Sequence, residues 1–198
     1  MKRTRIQRAV RRFGAGAARH VPLIVLACSI AVNVMLASRL LRAQQPAAPT
    51  LRVGTVMPPF VGKSVDGDDV RIEYTDAIPT VLYHFSPSCG WCERNWANVR
   101  ALTKQTHGRV RFVGIATTTV TSAFLRERQL DFDVASEVSP EVARQYGLGA
   151  TPQTILVSAE GRVVTHWTGA YTGSQAREVE SYFGLRLPGL VSPVTPRP

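Results

Sequence analysis

The stretch Thr80-Val81-Leu82-Tyr83-His84-Phe85-Ser86-Pro87-Ser88-Cys89-Gly90-Trp91-Cys92 decides the fold. Its first half is apolar and rich in β-branched and aromatic residues, as a core strand is. Its end carries two cysteines separated by two residues. A helix-like run extends from Gly90 to about Thr106, in which Trp96, Val99 and Leu102 are spaced to form one inner stripe. A cysteine at the start of a helix meets free backbone N–H groups and the positive end of the helix dipole. Both favour the thiolate, the reactive form of the sulfur. A second cysteine one turn along can then close a disulfide on the first.

Outward from this point the pattern alternates. Val70 to Tyr74 reads as a short strand after the turn Asp66-Gly67-Asp68, and Arg109 to Ala116 as a second core strand. Thr121 to Gln129 reads as a helix and Phe132 to Ala135 as a short strand. Ser139-Pro140-Glu141 opens another helix, with Ser as N-cap and Pro at the first position, ending near Gly147. Gln153 to Val157 is a strand, and Ala159-Glu160-Gly161-Arg162 turns it into Val163 to Trp167 as a hairpin. Ser174 to Phe183 is a last helix. Pro188 to Pro198, with four prolines, reads as a flexible tail. This order predicts an α/β domain: a mixed sheet covered by helices on both faces and ending in an antiparallel hairpin.

The N-terminus is of another kind. Residues 1–20 hold seven basic side chains and no acidic one. Val21 to Ser38 is free of charge, and eighteen residues at ~1.5 Å each span ~27 Å, close to the hydrocarbon thickness of a bilayer. The excess of Lys and Arg before it places residues 1–20 in the cytoplasm and the remainder of the chain outside. Residues 21–41 are therefore expected to be a transmembrane anchor or uncleaved signal, with a signal peptide cleaved near Ala43 as the rival. Cys28 lies inside this segment and reads as a membrane-embedded thiol. Residues 42–50, Pro- and Ala-rich, are the expected linker, and 51–187 the expected domain. The net charge of +10 belongs to the N-terminus: from residue 43 onward there are 15 basic and 14 acidic residues. A near-neutral domain lacks the basic footprint of a nucleic-acid binder.

A Cys-x-x-Cys pair by itself fits half a zinc site, a structural disulfide or a redox centre. Zinc requires about four ligands, and His84, His107 and His166 are scattered. A bridge spanning so few residues closes too short a loop to stabilise the fold much. The redox reading is favoured.

At this level the chain resembles the thioredoxin fold and, within it, the membrane-anchored TlpA/ResA-type thiol–disulfide oxidoreductases of bacteria. The resemblance covers about residues 52–185. It rests on Gly54 through Pro58-Pro59-Phe60, Asp66-Gly67, Phe85 through Cys92, Tyr146-Gly147-Leu148-Gly149-Ala150-Thr151-Pro152-Gln153-Thr154, Glu160-Gly161-Arg162 and Gly169. It implies that Cys89 attacks and Cys92 resolves, that Gly90 and Trp91 tune the redox poise, and that Thr151-Pro152 is a cis-proline loop whose backbone pairs with substrate. It implies no cofactor beyond the redox-active Cys89–Cys92 disulfide, and no metal.

The implied function is reduction or exchange of disulfides in exported proteins at the outer face of the bacterial inner membrane. The implied partners are exported protein thiols and disulfides, a membrane or extracytoplasmic electron donor or acceptor, and the membrane itself through the N-terminal helix. Nucleic acid is not among them. The chain departs from its relatives in proton handling. Thioredoxins carry Asp six residues before the first cysteine, where this chain has Tyr83; ResA-type proteins carry Glu six residues after it, where this chain has Asn95. Glu93 reads as a helix-surface residue and His84 as packed in the core rather than tuning the thiolate. Three alternatives remain: a copper chaperone, disfavoured by the two-residue spacer; a non-enzymatic interaction module; and a peroxidase, which needs Pro-x-x-x-Thr-x-x-Cys where this chain has Leu82 and Ser86.

Overall fold

The computed structural model describes residues 21–43, 51–75 and 77–191. The chain divides into two units, Met1–Ala47 and Ala48–Pro198. In the first, helix α1 runs Val21–Ala43. Its stretch Val21–Arg39 has a mean hydropathy of 2.2 and is long and apolar enough to cross a membrane. Arg42 and Ala43, read as linker, continue this helix. The basic segment 1–20 and linker residues 44–50 lie outside the described residues.

The second unit is a mixed five-stranded sheet. Its strands are β3 (Thr80–His84), β4 (Arg111–Ile115), β5 (Asp133–Ala135), β6 (Gln153–Val157) and β7 (Val163–Thr168), in the spatial order β5-β4-β3-β6-β7. The β3–β4 and β4–β5 pairs are parallel; β3–β6 and β6–β7 are antiparallel. The helices are α2 (Gly90–Thr106), α3 (Ser122–Glu127), α4 (Pro140–Gln145) and α5 (Gly173–Phe183). Ser139 caps α4 through its hydroxyl, as the sequence indicates, and Thr121, read as the first helical residue, instead caps α3.

A small hairpin, β1 (Phe60–Lys63) with β2 (Asp69–Ile72), precedes the sheet. Strand β2 begins one residue earlier than Val70 and stops at Ile72. Strand β1 is unanticipated: it comes after two prolines and contains a glycine, so nothing local favours it. Long-range pairing makes it, with β2 on one side and an isolated bridge from Lys63 to Ser136 on the other.

Strand β3 is the central strand, and all five of its residues are buried. Val81, Tyr83 and the adjoining Phe85 face a core shared with Trp96, Val99 and Leu102 of α2 and with Val179 and Phe183 of α5. Leu82 faces a second core with Met57, Phe60, Ile72 and Tyr146. The sheet is thus covered on both faces. Under α2 the first core is aromatic: Trp96 meets Phe85 edge-on at 5.3 Å, Tyr83 at 5.8 Å and Phe124 at 6.0 Å between ring centres. Each such pair adds ~0.5–1.5 kcal/mol beyond its buried area.

One residue lets these rings approach the sheet. A Cβ at Gly114, in the middle of β4, would stand 2.8 Å from Phe132, 2.9 Å from Phe85 and 3.0 Å from Val134. Phe85 and Val134 belong to the core, and the half-buried Phe132 ring packs against it. Gly114→Ala is expected to cost about 1–3 kcal/mol through overpacking, read as a lower urea midpoint at unchanged slope.

Candidate active site

Helix α2 begins where β3 ends, and Cys89 is its N-cap residue. With φ −81° and ψ 109° its backbone is still extended, while its carbonyl already accepts from Glu93 N–H at 3.0 Å. Its sulfur accepts the backbone N–H of Cys92 at 3.1 Å. Sulfur therefore occupies the place an Asp or Ser oxygen takes at an ordinary N-cap, and negative charge on it is stabilised by the amide and the helix dipole. Cys89 is partly exposed and Cys92 is fully buried. The two form a disulfide across a Cα–Cα separation of 5.2 Å. Gly90 and Trp91 are exposed between them, and the Arg94 guanidinium lies 4.6 Å over the Trp91 ring.

The sheet register brings the second motif to this end. His84 pairs with Gln153 across the antiparallel β3–β6 ladder, so Pro152 enters β6 beside the point where the chain leaves β3 for the cysteines. The Thr151–Pro152 peptide bond is cis.

Beneath the dithiol lies a buried polar network. Asn95, one turn beyond Cys92, donates through Nδ2 to the Tyr83 hydroxyl at 3.2 Å. Its Oδ1 accepts from Asn98 Nδ2 at 2.9 Å and from the backbone N–H of Tyr171 at 3.1 Å. The Tyr171 and Thr154 hydroxyls are hydrogen-bonded at 2.6 Å. Burial pushes the Tyr83 and Tyr171 hydroxyls well above the ordinary tyrosine range, so both are neutral at physiological pH. The two positions singled out as departures, Tyr83 and Asn95, thus bond each other. Asn98 and Tyr171 escaped the sequence reading, and Thr154 entered it only as the end of the Thr151-Pro152 motif. The available signal was a pair of asparagines at i, i+3 on a helix flank next to the inner stripe.

The other polar candidates point elsewhere. Glu93 carries an ion pair to Arg128 Nε at 2.8 Å and accepts from Trp96 Nε1 at 3.3 Å; its side chain is half-exposed on the surface. His84 alternates to the same side of β3 as Leu82, away from Cys92. It is 3% exposed, and its Nδ1 has no hydrogen-bond partner among the described residues. His107 caps the far end of α2 and His166 lies on β7.

The sheet and its flanking helices are thioredoxin-like, and the cysteine pair capping α2 makes the class that of thiol–disulfide oxidoreductases. Residues 53–166 match the AhpC/TSA family, and the chain belongs to that family. Solved structures share the fold. The thioredoxin domain of a thiol-disulfide oxidoreductase from Bacteroides vulgatus is 17% identical, with a TM-score of 0.54 over 68% of this chain and 99% of its own. Peroxidoxin BcpB from Mycobacterium tuberculosis is 19% identical, with a TM-score of 0.56 over 68% and 97%. A putative thiol:disulfide interchange protein DsbE from Chlorobium tepidum is 19% identical, with a TM-score of 0.53 over 68% and 99%. No functionally curated protein matches the chain.

Burial lowers the His84 pKa to about 4, against a smaller opposing effect of the Ala150 backbone. The unfolded chain protonates this ring near its ordinary value of about 6.5. Between the two values the unfolded state holds more protons, so stability falls as pH drops through that window and the loss is complete below about 4. Denaturant unfolding of the full chain from pH 7 to pH 4 is expected to lose up to about 3 kcal/mol from this ring. A His84→Gln variant is expected to lack that part of the slope.

Proposed function

We propose that the chain is a membrane-tethered, extracytoplasmic thiol–disulfide oxidoreductase of the TlpA/ResA type, exchanging disulfides with exported proteins through Cys89 and Cys92. The observation that carries the reading is the pairing of the two sulfurs: one partly exposed and capping a helix with an amide aimed at it, the other fully buried one turn on. The first is suited to attack and the second to resolve.

In the reducing direction, the Cys89 thiolate attacks a partner disulfide. A Cys89–partner bond forms and one partner thiolate leaves. Cys92 gives up its proton and attacks Cys89, forming the Cys89–Cys92 disulfide and releasing the second partner thiolate. Two electrons pass to the partner. The oxidising direction is the reverse. Thr151, with its carbonyl and amide beside the dithiol end of the sheet, would pair with the partner's extended backbone, and exposed Trp91 would cover an apolar part of it.

The tether is supported by helix α1, whose Val21–Arg39 stretch has a mean hydropathy of 2.2, and by the seven basic residues among positions 1–20. A peroxidase reading, suggested by the family name and by BcpB, is disfavoured because Leu82 and Ser86 stand where that chemistry places Pro and Thr.

Expression of Cys92→Ser in cells is expected to accumulate mixed disulfides with exported proteins, visible on non-reducing gels and lost on reduction. Cys89→Ser is expected to accumulate none and to lose exchange activity. No adduct with Cys92→Ser, together with undiminished exchange by Cys89→Ser, would overturn the assignment. A redox titration fixes the direction: a potential well below about −200 mV means a reductant.

A further inference from the structure

Two asparagines of α2, Asn95 and Asn98, are fully buried. A buried amide left unbonded costs on the order of 1–3 kcal/mol, so the destinations of their hydrogen bonds identify what holds this part of the helix. Asn98 donates to Asn95, and its own Oδ1 accepts the backbone N–H of Gly189 at 2.8 Å. Gly189 belongs to the segment after α5, where the sequence reads as a flexible tail from Pro188. Its described part, up to Val191, is instead fastened to α2.

The fastening is continuous. Gln105 Nε2 donates to the Arg186 carbonyl at 2.8 Å, and Gln105 Oε1 accepts the Arg186 N–H at 3.4 Å. Val191 N–H donates to the Arg94 carbonyl at 3.1 Å. Leu187 N–H is held by Glu180 Oε1 at 2.8 Å, and Leu185 is buried in the core under α2. Arg94, Asn98 and Gln105, at spacings of four and seven, lie along one flank of the helix. From Gln105 back to Arg94 the helix rises ~16.5 Å at ~1.5 Å per residue. Arg186 to Val191 covers the same stretch in the opposite direction, with a bend at Gly189, whose φ is +92°. The segment is thus a strap laid antiparallel to α2, pinned at Gln105, Asn98 and Arg94 and running toward the Trp91 and Cys89 end.

We propose that this strap, Leu185–Val191, is a positioning element of the dithiol, acting through Asn98 and Asn95 to keep the surroundings of Cys92 dry and uncharged. The proposal rests on the reading of Cys89 and Cys92 as the exchange pair. Asn95 lies one turn from Cys92 with its acceptor oxygen already taken by two donors, so it offers the thiol no base. Its Nδ2 is spent on the Tyr83 hydroxyl. A thiol in this setting keeps its proton, while Cys89 at the helix end loses its own readily. The strap maintains that asymmetry. Removing it takes from Asn98 Oδ1 its strap donor and opens the flank of α2 to water.

The test is the rate of Cys92 alkylation by iodoacetamide across a pH series, in the reduced full chain carrying Cys28→Ala and Cys89→Ala. Asn98→Ala, and separately a chain ending at Leu187, are expected to speed alkylation at pH 7 by about tenfold or more and to move the midpoint of the pH profile downward. Gln105→Ala cuts the strap only at its far end and is expected to change the rate less than about twofold. Should Asn98→Ala fail to fold, Asn98→Ser is read in its place. A rate and midpoint unchanged by the Asn98 variant, or moved equally by Gln105→Ala, would overturn the proposal. Alkylation reads the thiol itself and needs no partner, whereas trapping by Cys92→Ser uses an intact strap. The two readings can therefore fail independently.

Discussion

The Cys92 amide pointing at the Cys89 sulfur is the contact on which this domain turns. It exists because α2 starts at that residue, and α2 starts there because β3, buried along its whole length, delivers the chain to the edge of the core at Phe85. The Phe85 amide is itself bonded to the Ile115 carbonyl of β4 at 3.0 Å, so the exit of β3 is fixed on its parallel neighbour. Trp96 then keys the helix onto the aromatic floor, which lies close to the sheet only because position 114 has no side chain. Sulfur, amide, helix and floor form a chain of dependencies in which the polar contact is last and the packing first.

The two faces of β3 separate two kinds of polar chemistry. Toward α2 the buried groups are amides and hydroxyls that satisfy one another, with no titration near neutral pH. Toward the other core lies a buried imidazole held in its neutral form. The β-strand alternation alone keeps the histidine from the Cys92 sulfur. A slip of β3 by one residue would turn the histidine toward α2.

Much of this was legible in the sequence. The strand running into Cys89, the helix from Gly90 to Thr106, the Ser139-Pro140 helix start and the closing hairpin all carry local signals: period, caps and turns. The elements that escaped are those made by distant partners. Strand β1 depends on Ile72 and Ser136 rather than on Phe60-Val61-Gly62-Lys63 itself. Asn95 was visible as an odd residue at a telling position, but its partner Tyr171 lies 76 positions away, and Asn98 meets Gly189 across 91. The Pro-rich end of the chain suggested a free tail because composition reports what a segment lacks for building a core, not what a neighbouring helix offers it.

The hairpin that the sequence hid has a consequence for the behaviour of the domain in bulk. Lys63 and Ser136 exchange backbone bonds of 2.7 Å, laying β1 against the outer side of β5. At the opposite border Gly54, Thr55 and Met57 bond Val163 and Gly161, covering the start of β7. Residues from 43 onward are almost balanced in charge, so copies of this domain repel one another little. Colloidal restraint must come from geometry instead. By occupying backbone groups at both borders of the sheet, these segments deny neighbouring molecules a template for strand addition. That protection matters most where a tether would hold many copies at high local density in two dimensions.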